Sequence, residues 1–270
     1  MANKSTVPAF IFWFIFLVSN AHARDEIQAY FSNDSINGFM LSDAYETHNM
    51  GIMYFTDEYY LKLDLGMVSP DMHVYRNEYR EANRAFGELI SFEIGKPVNT
   101  NYDLSYYGRV KIAGKFGIDK LQDYAHRVFS LQPVNKVNDL VRMPASAWAG
   151  VGFRGEFLPF LFDLENTKFK IDGFFGLDTS FLDVKLTQTI ERPLLAYDLS
   201  FGGRLVAYDD IVSAPPINAK ARKFIPEISF GVSYEIGSYS IFAKDTFSLP
   251  SIETDSNVYG VLSMGASYSF

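Results

Sequence analysis

The last ten residues alternate without a break. Leu262, Met264, Ala266, Tyr268 and Phe270 are apolar or aromatic, and Val261, Ser263, Gly265, Ser267 and Ser269 between them are small and mostly polar. Successive side chains of an extended chain point to opposite faces, so this segment is a strand with one greasy face and one small face. The dyad recurs at Tyr59, Leu61, Leu63, Leu65 and Met67, which interleave with Tyr60, Lys62, Asp64, Gly66 and Val68. It returns at Ile228, Phe230, Val232, Tyr234 and Ile236, and again at Leu104, Tyr106, Val110 and Ile112, which alternate with Asp103, Ser105, Tyr107, Arg109 and Lys111. In a soluble sandwich the polar set faces water and the apolar set a packed core. In a membrane barrel the apolar set meets lipid, and Lys62, Asp64, Arg109 and Lys111 face the lumen, close enough for mutual pairing across the interior. Periodicity alone does not separate the two.

The chain ends favour the barrel. Lys4, the apolar run Val7 to Val18 and the A-x-A sequence Ala21-His22-Ala23 have the layout of a secretory signal peptide over residues 1–23, with Arg24 as the expected mature N-terminus. That run holds twelve residues, against the roughly 20 a spanning helix needs. No later window approaches 18 consecutive apolar residues, and with no cysteine a disulfide scaffold is excluded. Aromatic residues make up 16% of the chain, which suits girdles at two membrane interfaces. A net charge of −8 argues against nucleic acid as a partner, and no obligate protein partner is evident. The terminal aromatic Phe270 on an alternating strand resembles the C-terminal assembly signal of bacterial outer-membrane barrels.

The expectation is one domain over residues 24–270, an all-β transmembrane antiparallel barrel of about twelve strands in the bacterial outer membrane. Strands are expected near 26–34, 47–57, 59–69, 85–96, 101–117, 147–162, 168–178, 181–190, 195–208, 223–236, 239–248 and 257–270. Tight joints at Thr56–Tyr59, Lys96–Thr100, Leu164–Thr167 and Ile236–Tyr239 carry the turn residues Asp, Gly, Pro and Asn. They alternate with mostly long joints around 35–46, 70–84, 118–146, 209–222 and 249–256, the pattern of short periplasmic turns and long extracellular loops. The pair near 181 requires a short outer loop.

Several polar groups then fall at the extracellular end: Asn33-Asp34 closing the first strand, His48 and Asn49 opening the second, and Ser69-Pro70 followed by Tyr75, Arg76, Arg80 and Arg84. The loop 118–146 adds Gln122-Asp123-Tyr124-Ala125-His126-Arg127. In order and strand position, Asn33-Asp34, Gly51 preceded by polar residues, Ser69-Pro70 leading to Arg84-Ala85-Phe86, and Gln122 with Ala125-His126-Arg127 resemble the outer-membrane lipid A 3′-O-deacylases, over nearly all of residues 24–270. The resemblance implies calcium-dependent hydrolysis of a 3′-acyloxyacyl ester of lipid A in the outer leaflet, at an extracellular site. His126, Asn33, Asp34 and Arg76 are then the candidate catalytic residues, Asn49, Tyr75, Arg80 and Arg127 the candidate substrate-binding residues, and Asp34 the metal ligand.

The residue types suit that chemistry. A neutral imidazole takes a proton from water near pH 7, which makes His126 the candidate general base. Asp34 is a hard oxygen ligand for calcium, and the Asn33 amide is a donor or ligand. Arginines such as Arg76 and Arg80 match lipid A phosphates bidentately. Two positions depart from the family pattern: its loop-two lysine falls on Tyr75, with Arg76 next, and its strand-two threonine falls on Asn49. An arginine supplies charge but cannot act as a base, so lowered activity, shifted acyl selectivity and loss of activity all stay open. Taken without the resemblance, Asn33-Asp34 is strand-end turn chemistry, the arginines a solvated loop face, His126 an exposed loop residue, and His48 and His73 rim residues without catalytic duty. A non-catalytic barrel, whether narrow channel or surface-binding protein, and a phospholipase-type outer-membrane esterase are the competing functions.

Overall fold

The computed structural model describes residues 25–33, 46–68, 85–99, 104–118, 120, 142–157, 166–215, 219–249, 251–253 and 258–270. Twelve strands form: β1 (Glu26–Asn33), β2 (Glu46–Phe55), β3 (Tyr60–Val68), β4 (Gly87–Asn99), β5 (Leu104–Gly114), β6 (Ser146–Phe157), β7 (Thr167–Gly176), β8 (Thr179–Arg192), β9 (Leu195–Asp209), β10 (Phe224–Ile236), β11 (Tyr239–Ser248) and β12 (Tyr259–Ser269). Each pairs antiparallel with its sequence neighbours, and β1 pairs with β12 from Glu26↔Ser269 to Asn33↔Leu262, which closes the barrel. No described helix is long and apolar enough to cross a membrane; the strands do the crossing.

The chain turns as its residues dictate. The β2–β3 turn is held by Thr56, whose hydroxyl oxygen accepts the Tyr59 N–H at 3.0 Å. The β10–β11 joint is Gly237-Ser238, with Gly237 at φ 61°, a backbone state that glycine adopts without strain. Leu177-Asp178 links β7 to β8, so the outer loop before residue 181 is short, as the strand count required. β6 is described to Phe157 and β7 from Thr167, and the tight joint read at Leu164–Thr167 falls mostly on residues 158–165, outside the described set.

Register divides the side chains into two sets around the whole barrel. Much of the outward set is apolar and bare: Val151 is 64% exposed and Phe175 63%, with Ile241, Phe230 and Phe201 each more than half exposed. The inward set is charged and covered. Such a distribution is inverted for water, since exposed apolar surface on this scale would drive aggregation. It is the arrangement that hydrocarbon solvates.

The lumen is filled by ion pairs. Glu93, 1% exposed, accepts from Arg109 Nε and Nη2 at 2.9 and 2.7 Å, from Tyr60 Oη at 2.8 Å and from Arg154 Nη2 at 3.4 Å. Arg154 also reaches Asp172 at 3.4 Å, and Tyr107 Oη donates to Asp172 at 2.7 Å. Lys62 pairs with Asp64 at 3.1 Å as the sequence suggested. Arg109 and Lys111 do not join that pair: one turns to Glu93 and the other to Asp178, at 2.8 Å. The cross-strand register Glu93↔Arg109 places these partners directly opposite each other. Above this layer Val68, Ala85, Leu89, Ala113, Met143, Trp148 and Ala214 form an apolar cap at the outer end.

Candidate functional site at the outer rim

Of the residues singled out in the sequence, Asn33 and Asn49 fall among those described. Asp34, Tyr75, Arg76, Arg80, His126 and Arg127 lie outside them. Asn33 closes β1, while Asn49 stands near the start of β2 opposite Ser32 and Gly66. The topology therefore brings the two to one height on adjacent strands at the extracellular end. Asn49 falls on the lumen alternation with Gly51, Met53 and Phe55. A register shift between Glu46 and His48 leaves His48 paired with Met67 in the ladder.

Below Asn49 the lumen wall holds a cluster of oxygens. Asn49 Oδ1, Tyr30 Oη and Asp64 Oδ1 are buried and make no hydrogen bond. Tyr30, Gly51 and Asp64 share one cross-strand row. A Cβ on Gly51 would lie 2.5 Å from both Asp64 Oδ1 and Tyr30 Oη, so glycine is what lets these groups close over β2. The other Asp64 oxygen is used, by Lys62 at 3.1 Å and by the Ser91 hydroxyl at 3.1 Å. Unmatched buried oxygens of this kind suit water or a hard cation, both of which satisfy oxygen lone pairs. Tyr30 and Asp64 were not among the sequence candidates for a site. The visible signal was Gly51 in a strand interior, which marks a close approach, but the row that supplies its neighbours requires the register.

A second device sits on the outer face. Glu88 occupies the outward alternation of β4 and is nevertheless fully buried. Its Oε2 accepts the backbone N–H groups of Phe116, Gly117 and Ile118 at 2.7, 2.7 and 3.0 Å, and its Oε1 accepts Arg142 Nη1 at 2.8 Å. The Arg142 guanidinium lies 4.6 Å from the Phe86 ring centroid, and Met143 N–H donates to Phe86 O at 2.8 Å. One carboxylate therefore ties together the two roots of the connection between β5 and β6, which is the segment that carries His126. Sequence inspection passes over Glu88 because its partners are 28 to 54 residues away.

No protein-family model matches the sequence, and no curated protein matches it. Among solved structures the chain is similar to LpxR from Salmonella typhimurium, with a TM-score of 0.68 at 14% identity, over 91% of this chain and 100% of that one. It also matches the NanC porin (TM-score 0.46, 6% identity, 91% and 100% covered) and the translocator domain of the autotransporter NalP from Neisseria meningitidis (0.45, 9%, 98% and 96%). At these identities the likeness is one of fold. The chain is a closed twelve-stranded β-barrel of outer-membrane type.

Proposed function

We propose that this chain is an outer-membrane ester hydrolase that removes a 3′-acyloxyacyl chain from lipid A in the outer leaflet. The observation that carries the proposal is the full-length likeness to LpxR, a lipid A 3′-O-deacylase, in a chain whose own motif residues follow that family's order along the strands. Asn33, one of those residues, closes β1 at its outer end.

His126 takes the proton from the attacking water, since imidazole alone among the nearby candidates titrates close to neutrality. Charge then develops on the ester oxygen, and Arg76 is the residue assigned to face it, by charge and not by proton transfer. Arg80 and Arg127 hold the phosphates, with Asn49 and Tyr75 supplying polar contacts to the substrate. Calcium, when bound, polarises the ester carbonyl and offsets substrate charge. Asp34 and Asn33 would hold it, since a carboxylate and an amide oxygen are the donors a hard cation takes. The ion-paired interior weighs against the channel alternative, because a lumen crossed by Glu93, Arg109, Arg154 and Asp172 has little room for a water path.

The test is the mass of lipid A after incubation with the purified, folded barrel and calcium. Loss of one acyl or acyloxyacyl unit is expected, and His126→Ala abolishes it while heat-modifiable gel mobility is retained. An unchanged lipid A spectrum from a folded barrel refutes the proposal. Release of fatty acid from phospholipid vesicles in its place moves the activity to the phospholipase class.

A further inference from the structure

On the lipid-facing wall, β4 to β7 enclose a groove of about 680 Å³. One cross-strand row, Ile94↔Gly108↔Val151↔Phe175, forms its middle. Three of these positions carry large apolar side chains that stand out from the wall, with Ile94, Val151 and Phe175 all at least half exposed. The fourth has no side chain. A Cβ on Gly108 would find only the Gly150 carbonyl oxygen, at 4.0 Å, so nothing in the protein requires glycine there. The notch between Tyr106, Val151 and Phe153 is open because Gly108 leaves it open.

The groove has a polar end. One dyad step toward the periplasm, Lys96 and Tyr106 form the next outward pair, and Tyr59 of the β2–β3 turn lines the same rim. Lys96 is exposed, and among the described residues it has no carboxylate partner. Its place near the periplasmic end of β4 sets it at the level of the inner-leaflet headgroups.

We infer that this groove seats one acyl chain of a periplasmic-leaflet glycerophospholipid, with Lys96 paired to its phosphate. Three features select that occupant. The walls are apolar and lie within the bilayer, where close packing and not water exclusion decides which chain stays. A lone ammonium next to hydrocarbon matches a phosphate next to an acyl chain. The groove's polar end, at Lys96 and Tyr59 of the β2–β3 turn, lies on the periplasmic side, away from the rim assigned to lipid A, so the site is separate from the proposed ester hydrolase site and independent of it.

Native mass spectrometry of the full barrel, released from nonionic detergent and titrated with phosphatidylglycerol, tests this. One lipid adduct is expected to persist on the native chain at activation energies that strip further copies. Gly108→Leu fills the notch and should abolish the retained adduct. Lys96→Gln, which leaves the groove intact at an exposed position, should weaken it five- to tenfold relative to phosphatidylglycerol on the native chain. A neutral diacylglycerol should be retained no better than on Lys96→Gln. The inference is overturned if the native chain holds no preferred copy, or if either substitution leaves the adduct distribution unchanged in a barrel with normal heat-modifiable mobility. It is also overturned if lipid A is retained as strongly as phosphatidylglycerol.

Discussion

Replacement of Glu88 by glutamine isolates the clamp at the roots of the β5–β6 connection. The carboxylate serves two partners at once, with one oxygen on three successive backbone N–H groups and the other on Arg142. A glutamine keeps a single acceptor oxygen, so either the three amides or the guanidinium lose theirs. Hydrogen bonds to a charged acceptor contribute about 1.5–3 kcal/mol each, and stripping one partner from a buried ion pair costs about 3–5 kcal/mol. Shared geometry makes these figures non-additive, and a loss of about 3 kcal/mol is expected, with Glu88→Ala losing more. Urea unfolding of the folded barrel can be followed at Trp148, which packs in the cap with Met143 and donates its indole N–H to Asp210 at 3.1 Å. The other tryptophan, Trp13, lies within the expected signal peptide. Hydrogen exchange at the amides of Phe116, Gly117 and Ile118 should accelerate in the same variants. An unfolding free energy within about 0.5 kcal/mol of the native value, the ordinary scatter of surface substitutions, together with unchanged exchange at those amides, would show that the clamp holds nothing.

Two other outcomes follow from the same structure, and a third from the proposed function. Gly51→Ala pushes a methyl group against Asp64 and Tyr30 and should lower stability by about 1–3 kcal/mol in urea titrations, through overpacking. Glu93→Gln leaves Arg109 and Arg154 short of negative charge and should cost about 3–5 kcal/mol, read as a lower temperature of gel-mobility conversion, with partial recovery in the double variant with Arg109→Met. On the proposed function, removal of calcium by a chelator should stop acyl release from lipid A, restored on adding calcium back, while the midpoint of barrel unfolding stays within error.

Much of this barrel is written locally. The alternation through Leu262 to Phe270 and through Tyr59 to Val68 needs only neighbouring residues to be read, and each expected strand overlaps an observed one. Lys62 and Asp64 were legible as a lumen pair because two positions along one strand share a face. Long-range register decided the rest. Which residues share a face, as Tyr30 and Gly51 do, depends on which residue of β1 meets which of β2, and one position of slip reverses the answer. Glu88 sits where the alternation calls for an apolar residue, and it is accounted for only once Phe116 to Ile118 and Arg142 are folded back onto it. The same holds for Gly108, an unremarked glycine in a strand until three neighbouring strands raise walls around it. A period-two pattern states which residues turn together, and only the closed sheet determines what they meet.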